Sequence, residues 1–274
     1  MTWSIKILRA GTMRLDGGGM FGVVPKTMWE RLSPPDDHNR ILLQTNCLLL
    51  EQSGTKVLVE AGCGDKWSEK ERGIYAIENR TVVDALQEHN VDPADIDHVV
   101  ISHLHFDHAG GLTRLNDGHP VSCFPNATVH VQHQEWKDAN ENRAVMTRTY
   151  LPTHLEPIAS QVQTHTGQSS VLEGLTVNLA PGHTWGQQSI HIDTQNGPVV
   201  FPADVVPTIN HAPPAFVMAY DIEPYTAMQT KINVLSKAAE EGWTLALGHE
   251  PGPVLVRAEA DPERPDRRRL IPCP

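Results

Sequence analysis

The residues best suited to chemistry lie between positions 102 and 111, where three histidines and one aspartate fall within six residues. They follow a predicted strand over 97–102, and in an extended chain the first two histidines project to one side of the backbone. Leu104 and Phe106 should then point to the other side and pack inward. Imidazole and carboxylate groups at this density are typical of a metal centre, and one such segment can serve two ions. The candidate ligands are His103, His105, Asp107 and His108.

Three further polar residues each follow a predicted strand farther along the chain. They are His183 in a Pro-Gly-His-Thr motif, Asp204, and His249 in a Gly-His pair. Taken singly, each is explained as a turn residue or as a hydrogen-bonded loop histidine. The density of the first motif argues against that explanation for the whole set. The seven residues together predict ligands for two metal ions.

The order of these motifs, H-x-H-x-D-H, P-G-H-T, a strand-terminal Asp and a late G-H, resembles the metallo-β-lactamase superfamily over essentially the whole chain. The resemblance implies a fold of the α+β class, an αββα sandwich with the metals at one edge. It also implies an assignment of ligands: His103, His105 and His183 for one ion, Asp107, His108 and His249 for the second, and Asp204 as a bridge between them.

Two segments narrow the resemblance to the N-acyl-homoserine lactonase branch, which is associated with quorum quenching. They are 16–26, with the sequence Asp-Gly-Gly-Gly-Met-Phe-Gly-Val-Val-Pro-Lys, and 217–221. Met20 and Phe21, next to the glycines at 17–19, are candidates for an apolar wall of a substrate pocket, and ordinary loop packing stays open as the alternative. Tyr220 is a candidate for substrate binding and catalysis through its phenol.

Two positions depart from the pattern of that branch. Glu60 stands where the superfamily usually has an aspartate that orients a ligand histidine, and a longer side chain can do this from a shifted backbone. Pro207, three residues after Asp204, stands where several lactonases carry a tyrosine that touches the substrate. We expect Tyr220 to supply the phenol from another part of the chain.

Imidazole and carboxylate ligands without a thiolate predict two divalent metal ions and favour Zn²⁺, although manganese, iron or cobalt also bind such groups. Two bridged ions lower the pKa of a shared water molecule from about 16 to about 7, so hydroxide becomes available as the nucleophile. Asp107 can in addition carry a proton to the leaving group. We therefore predict a hydrolase that opens a lactone ring. An organophosphate or other ester hydrolase of the same superfamily, and a metal-binding protein without turnover, stay open as alternatives.

The elements that must position these residues are short strands with intervening helices in a chain of 274 residues. Asp16 and the three glycines after it predict a flexible turn. We expect a single domain over 1–274 with a short, charged, proline-rich C-terminal tail that contains Arg267, Arg268 and Arg269. The patterns predict strands over 3–9, 97–102, 128–131, 175–179, 188–192, 198–201 and 243–247, a hairpin of 42–51 with 56–60, and helices over 81–89 and 225–239.

Composition limits the remaining classes of function. A formal net charge of −11 disfavours a nucleic-acid partner because it repels a polyanion. The sequence has no secretory leader and no apolar run of membrane-spanning length, which predicts a cytoplasmic protein without a membrane partner. Four scattered cysteines suggest neither a disulfide framework nor a thiolate zinc site. The expected partner is a small-molecule substrate, and a homodimer stays open.

Overall fold

The structure is a computed structural model and describes residues 2–144, 148–264 and 267–273. Its strands are β1 (Ser4–Asp16), β2 (Arg40–Gln52), β3 (Thr55–Val59), β4 (His98–Val100), β5 (Thr113–Asn116), β6 (His119–Ser122), β7 (Thr128–Gln132), β8 (Val162–His165), β9 (Ser169–Leu172), β10 (Leu175–Leu179), β11 (Gln188–Thr194), β12 (Gly197–Phe201), β13 (Thr244–Ala246), β14 (Leu255–Ala260) and β15 (Arg268–Pro272). Its α-helices are α1 (Gly17–Phe21), α2 (Lys26–Trp29), α3 (Glu69–Tyr75), α4 (Val82–Gln87), α5 (Phe106–Ala109), α6 (His133–Asn140), α7 (Pro152–Leu155) and α8 (Pro224–Glu241). Within the described ranges, none of these helices has the length and apolar character needed to cross a bilayer.

A first sheet has the strand order β1-β2-β3-β4-β7-β8. β1, β2 and β3 run antiparallel, with Leu50 opposite Val57 in the β2–β3 hairpin that the sequence predicts. β3, β4, β7 and β8 are parallel to their neighbours. Parallel neighbours need a crossover connection, and α3 and α4 lie in the one between β3 and β4. The carboxyl ends of β3 and β4 therefore meet at one edge of the sheet.

A second sheet has the order β15-β14-β13-β12-β11-β10-β9 and packs face to face against the first. Side chains alternate along β3, so Val57 and Val59 lie between the sheets while Leu58 points to the outer face. There α4 covers the first sheet through Leu86, and α8 covers the outer face of the second sheet through Leu235. The layers are helix, sheet, sheet and helix, which confirms the predicted αββα sandwich.

Most predicted elements are present, with bounds shifted by a few residues. The helix expected over 81–89 is Val82–Gln87, and the one expected over 225–239 is Pro224–Glu241. The strand expected over 97–102 is shorter and ends at Val100. The histidine-rich motif therefore begins in irregular backbone just beyond the end of the sheet.

Two expectations about irregular segments are wrong. The segment 16–19 is no flexible turn, because β1 continues to Asp16 and the Asp16 side chain caps α1 by accepting a hydrogen bond from the Gly19 N–H at 2.8 Å. The expected tail is not free at Arg268–Pro272, because this segment is the edge strand β15, paired with β14. Leu270 of β15 is buried against the core under α8, which holds the strand in place. Positions 265, 266 and 274 of the expected tail lie outside the described residues.

Candidate metal centre

The side chains predicted as metal ligands come together at the edge where several strands end. Two of them follow β4, and one each follows β10, β12 and β13, because the carboxyl ends of these strands point to the same edge. Two more lie on α5, a single helical turn that begins directly after His105. All of them are buried, and they are His103, His105, Asp107, His108, His183, Asp204 and His249.

The first group consists of His103, His105 and His183, whose ligand atoms lie within 4.8 Å of one another. Nε2 of His183 is 2.9 Å from Nδ1 of His105. Nδ1 of His183 donates a hydrogen bond to Oδ1 of Asp221 at 2.8 Å, which leaves the lone pair of the neutral ring on Nε2. Nε2 of His103 is buried and has no hydrogen-bond partner among the described residues. These nitrogens form a cluster with unused acceptor capacity.

The second group consists of Asp107, His108 and His249. Nδ1 of His108 donates to Oε2 of Glu60 at 2.7 Å, and Nδ1 of His249 donates to the carbonyl oxygen of Gln44 at 3.0 Å. In the neutral rings the lone pairs are therefore on the two Nε2 atoms, which face each other at 3.1 Å. Oδ2 of Asp107 lies 3.5 Å from Nε2 of His249. Such facing acceptors repel one another unless a cation lies between them.

Asp204 lies between the two groups and faces both. Its Oδ2 is 3.3 Å from Nε2 of His183 in the first group. Its Oδ1 is 3.3 Å from Nε2 of His249 and 3.5 Å from Nε2 of His108 in the second. One carboxylate oxygen is thus directed to each group, which is the arrangement that a bridging ligand requires.

The electrostatics of the centre favour positive charge. Burial lowers the pKa of His103 and His105 well below the usual range, and neighbouring imidazoles add to this effect, so both rings are neutral. Burial alone would also lower the pKa of His108, but Asp204 and Asp107 outweigh it and hold that pKa well above its usual range. The pKa values of His183 and His249 are raised in the same way, against burial, chiefly by Asp204. The carboxylates therefore attract a proton or a metal ion to the same place.

Two further carboxylates orient the candidate ligands. Glu60 accepts from Nδ1 of His108 through Oε2 and from the Ser102 N–H at 2.7 Å through Oε1, so the longer side chain takes the orienting role expected at this position. Asp221 does the same for His183 and also accepts from the Met218 N–H at 2.9 Å. Sequence reasoning missed this role of Asp221, although the residue ends the 217–221 segment that resembles lactonases.

A pocket opens onto this centre, and its remaining lining is mostly apolar. Met20 and Tyr220 line it, as predicted. Burial raises the pKa of Tyr220 to about 12, so its phenol keeps its proton at neutral pH and can donate a hydrogen bond. The phenol lies against the backbone of Gly19, where an added Cβ would be 2.3 Å from the Tyr220 oxygen. The apolar and aromatic lining residues are Leu15, Met20, Tyr75, Phe106, Ala144, Met218, Ala219, Tyr220 and Ile222.

The assignment of Phe21 to the pocket wall is wrong. Phe21 is not among the residues that line the pocket, and its ring stacks on Trp29 at 5.4 Å and on His211 at 4.6 Å between centroids. Phe106, expected to pack inward, instead lines the pocket. Its ring packs against that of Tyr75, with centroids 5.4 Å apart. Tyr75 carried no signal in the sequence, since it ends a short helix far from the histidine-rich motif.

Comparison with known proteins identifies the family. The model of the metallo-beta-lactamase superfamily matches residues 40–249, a range that contains every ligand candidate. The chain belongs to the metallo-beta-lactamase superfamily. The predicted family is thereby confirmed, and so is the likeness to its lactonase branch, as the relatives show.

Relatives in this superfamily include an N-acyl homoserine lactonase from Bacillus sp, 29% identical over 170 residues. The match covers 58% of this chain and 62% of that protein, so it spans less than two thirds of the relative's length. A probable metal-dependent hydrolase from Staphylococcus aureus is 28% identical with a TM-score of 0.86, over 93% of this chain and 92% of that one. AidC, a dizinc quorum-quenching lactonase solved with its product, is 19% identical with a TM-score of 0.81 over 99% and 95% of the two chains, and shows the shared fold.

The residues of this superfamily member fit a pair of divalent metal ions. The donor set is imidazole nitrogen and carboxylate oxygen, with lone pairs directed inward and with Nδ1 of three of the rings held by carboxylate or carbonyl acceptors. Cys63 lies nearby, but its Sγ faces Sδ of Met13 at 3.5 Å and burial raises its thiol pKa well above the usual range. A thiolate ligand is therefore not part of the set.

Proposed function

We propose that this chain is a dinuclear metal hydrolase that opens a lactone ring of the N-acyl-homoserine type. The observation that carries the proposal is the pair of ligand groups, joined by Asp204 and opening into a pocket with an apolar lining. The lactonase relatives support the same substrate class. One ion would be held by His103, His105 and His183, the other by Asp107, His108 and His249, and Asp204 would bind both, with Zn²⁺ favoured by the ligand chemistry.

When bound, two such ions polarise the scissile carbonyl and lower the pKa of water to about 7, so that hydroxide is available at neutral pH. The residues of the chain supply orientation and proton transfer. Glu60 and Asp221 fix the rings of His108 and His183 through their Nδ1 atoms. Asp107, whose carboxylate lines the pocket, passes a proton from the attacking water to the departing ring oxygen.

Residues of the pocket wall bind the substrate. Tyr220, whose phenol stays protonated, donates a hydrogen bond to the lactone and takes the place of the tyrosine that position 207 lacks. Pro207 is buried, and its carbonyl oxygen accepts from the His249 N–H at 2.9 Å, so this position supports a ligand instead of touching the substrate. Met20, Tyr75 and Phe106 offer an apolar surface for an acyl chain.

The test combines metal analysis with a substrate panel. Protein purified without a chelator should contain close to two equivalents of divalent metal, and a single equivalent with full activity would contradict the dinuclear centre. The ratio kcat/KM should be higher for acyl-homoserine lactones than for a phosphotriester or a cephalosporin. Phosphotriester turnover about tenfold above every lactone would reject the lactonase and retain the hydrolase. Two bound ions with no turnover of any ester would favour a metal-binding protein.

A further inference from the structure

Glu135 is a fully buried carboxylate to which the proposed mechanism gives no role. It lies in the first turn of α6, directly after β7. Its side chain is not among the groups whose ligand atoms cluster around the metal positions. A carboxylate in such surroundings is costly to bury unless several donors compensate for the lost hydration.

Three donors from distant parts of the chain meet at this carboxylate. Oε1 accepts from the Leu104 N–H at 2.9 Å and from the Tyr150 hydroxyl at 3.0 Å. Oε2 accepts from the Thr184 hydroxyl at 2.6 Å. All three donors are buried, so water does not compete for these bonds.

The donors belong to the segments that carry the first group of ligands. Leu104 lies between His103 and His105 in the sequence, and Thr184 directly follows His183. The ring of Tyr150 packs against the ring of His105, with centroids 5.3 Å apart. The carboxylate thus joins the strand-end segment to the later loop.

The backbone shows the same close approach. A Cβ at Gly186 would lie 2.2 Å from the backbone nitrogen of Glu135, so the loop after His183 rests directly on the start of α6. The second group of ligands is held differently, by Glu60 and by the carbonyl oxygen of Gln44. Glu60 also accepts from the Ser102 N–H next to His103, whereas the three bonds of Glu135 reach the segments of the first group.

We infer that Glu135 is a positioning residue for the first metal position, which it serves by fixing the chain segments of His103, His105 and His183 against each other. This inference rests on the proposed dinuclear centre. Loss of a residue that orients metal ligands typically lowers metal affinity about 10- to 100-fold. In Glu135→Gln, the carbonyl oxygen can still accept from two of these donors, but the NH2 group cannot accept from the third. The affinity of the first ion should therefore fall toward the lower end of this range, while the second ion binds as before.

The experiment measures Zn²⁺ affinity by competition with a chromophoric chelator, and the Co²⁺ absorption spectrum as a second readout. Glu135→Gln is placed in a His249→Ala background, which keeps the first group intact, and in a His183→Ala background, which keeps the second. We expect weaker binding and a changed Co²⁺ spectrum in the first background only. Asp138→Asn is the matched control, because Asp138 is equally buried on the same helix but, within the described ranges, its side chain bonds to Gln134 and Arg143.

The outcomes distinguish a failure of the role of Glu135 from a failure of the proposed dinuclear hydrolase. Equal Zn²⁺ affinity of wild type and Glu135→Gln, or an equal loss in Asp138→Asn, would overturn the role of Glu135. Wild-type protein that binds fewer than two ions would instead overturn the proposed function. If Glu135→Gln does not fold, Thr184→Val removes one donor and should weaken the first ion, and Thr184→Ser should restore it. A folded Thr184→Val with wild-type affinity would again overturn the inference.

Discussion

Three histidines form a hydrogen-bonded row across neighbouring parallel strands of the first sheet, apart from the metal centre. His98 on β4, His130 on β7 and His165 on β8 are joined by contacts of 3.0 Å from Nδ1 of His98 to Nε2 of His130 and of 3.0 Å from Nδ1 of His130 to Nε2 of His165. A row of neutral rings satisfies both contacts, because each ring can donate from one nitrogen and accept at the other. A proton added to His130 would place a buried charge between two other imidazoles.

The magnitude follows from the pKa of His130. Burial, and then the neighbouring His98 and His165, lower this pKa to about 3 from the ordinary value of 6.5. The unfolded chain therefore binds a proton that the folded chain does not, and stability is highest above pH 6.5 and falls as the pH drops toward 3. Titration of His130 lowers the free energy of unfolding over the interval of about 1.5 pH units between pH 6.5 and pH 5. At about 1.4 kcal/mol per unit, the loss between pH 7.5 and pH 5 is about 2 kcal/mol from this residue. Burial lowers the pKa of His98 and His165 as well, which adds in the same direction.

The perturbation is His130→Gln, since an amide can still donate to one neighbour and accept from the other. Urea unfolding at pH 7.5 and pH 5 should show a loss of stability on acidification that is smaller than in wild type by about 2 kcal/mol. Val131→Ala on the same strand is the control, because it removes buried methyl groups without a titrating group and should lower stability equally at both pH values. An unchanged pH dependence in His130→Gln would refute the reasoning.

Three further predictions concern the metal centre and its pocket. Asp204→Asn should lower bound metal well below two equivalents and abolish turnover, measured by elemental analysis and lactone hydrolysis, because one neutral amide cannot bridge two cations. Tyr220→Phe should reduce kcat/KM about two- to tenfold, as expected for one lost hydrogen bond of about 0.5–1.5 kcal/mol, with metal content unchanged. Met20→Ala should raise KM for long-chain lactones, whereas Phe21→Ala should cost about 3–5 kcal/mol in urea unfolding because its ring is part of the core.

The candidate ligands could be found in the sequence because each lies in a short motif beside a strand. Local patterns of this kind can be recognised in the sequence. The side chains of β3 alternate between the two faces of its sheet, and His103 comes just beyond the end of β4. The side chains that hold the ligands could not be found in the same way. Glu135 is 31 residues from Leu104 and 49 from Thr184, and Asp221 is 38 from His183, so only the fold brings these partners together.

The segment after Asp16 shows why local propensity failed. Glycine is a poor helix former, costing about 1 kcal/mol relative to alanine, and three in a row predict a turn. The helix forms because Asp16 caps it and because Tyr220 packs on Gly19, where a side chain would collide with the phenol. In a helix, adjacent residues point about 100° apart. Met20 can therefore face the pocket while Phe21 enters the core, although the sequence places both in the same wall.

Glu60 shows how the departure from the usual aspartate is accommodated. Its φ of +65° lies in the left-handed region, which costs a residue with a side chain on the order of 1–3 kcal/mol and persists only where the surroundings fix it. Here the Glu60 N–H donates to the Val100 carbonyl at 3.1 Å, and the carboxylate accepts from Ser102 and His108. With the backbone turned in this way, the additional methylene still leaves both carboxylate oxygens within hydrogen-bonding distance of the metal motif. The strained backbone at Glu60 is therefore part of what directs Nε2 of His108 toward the metal position.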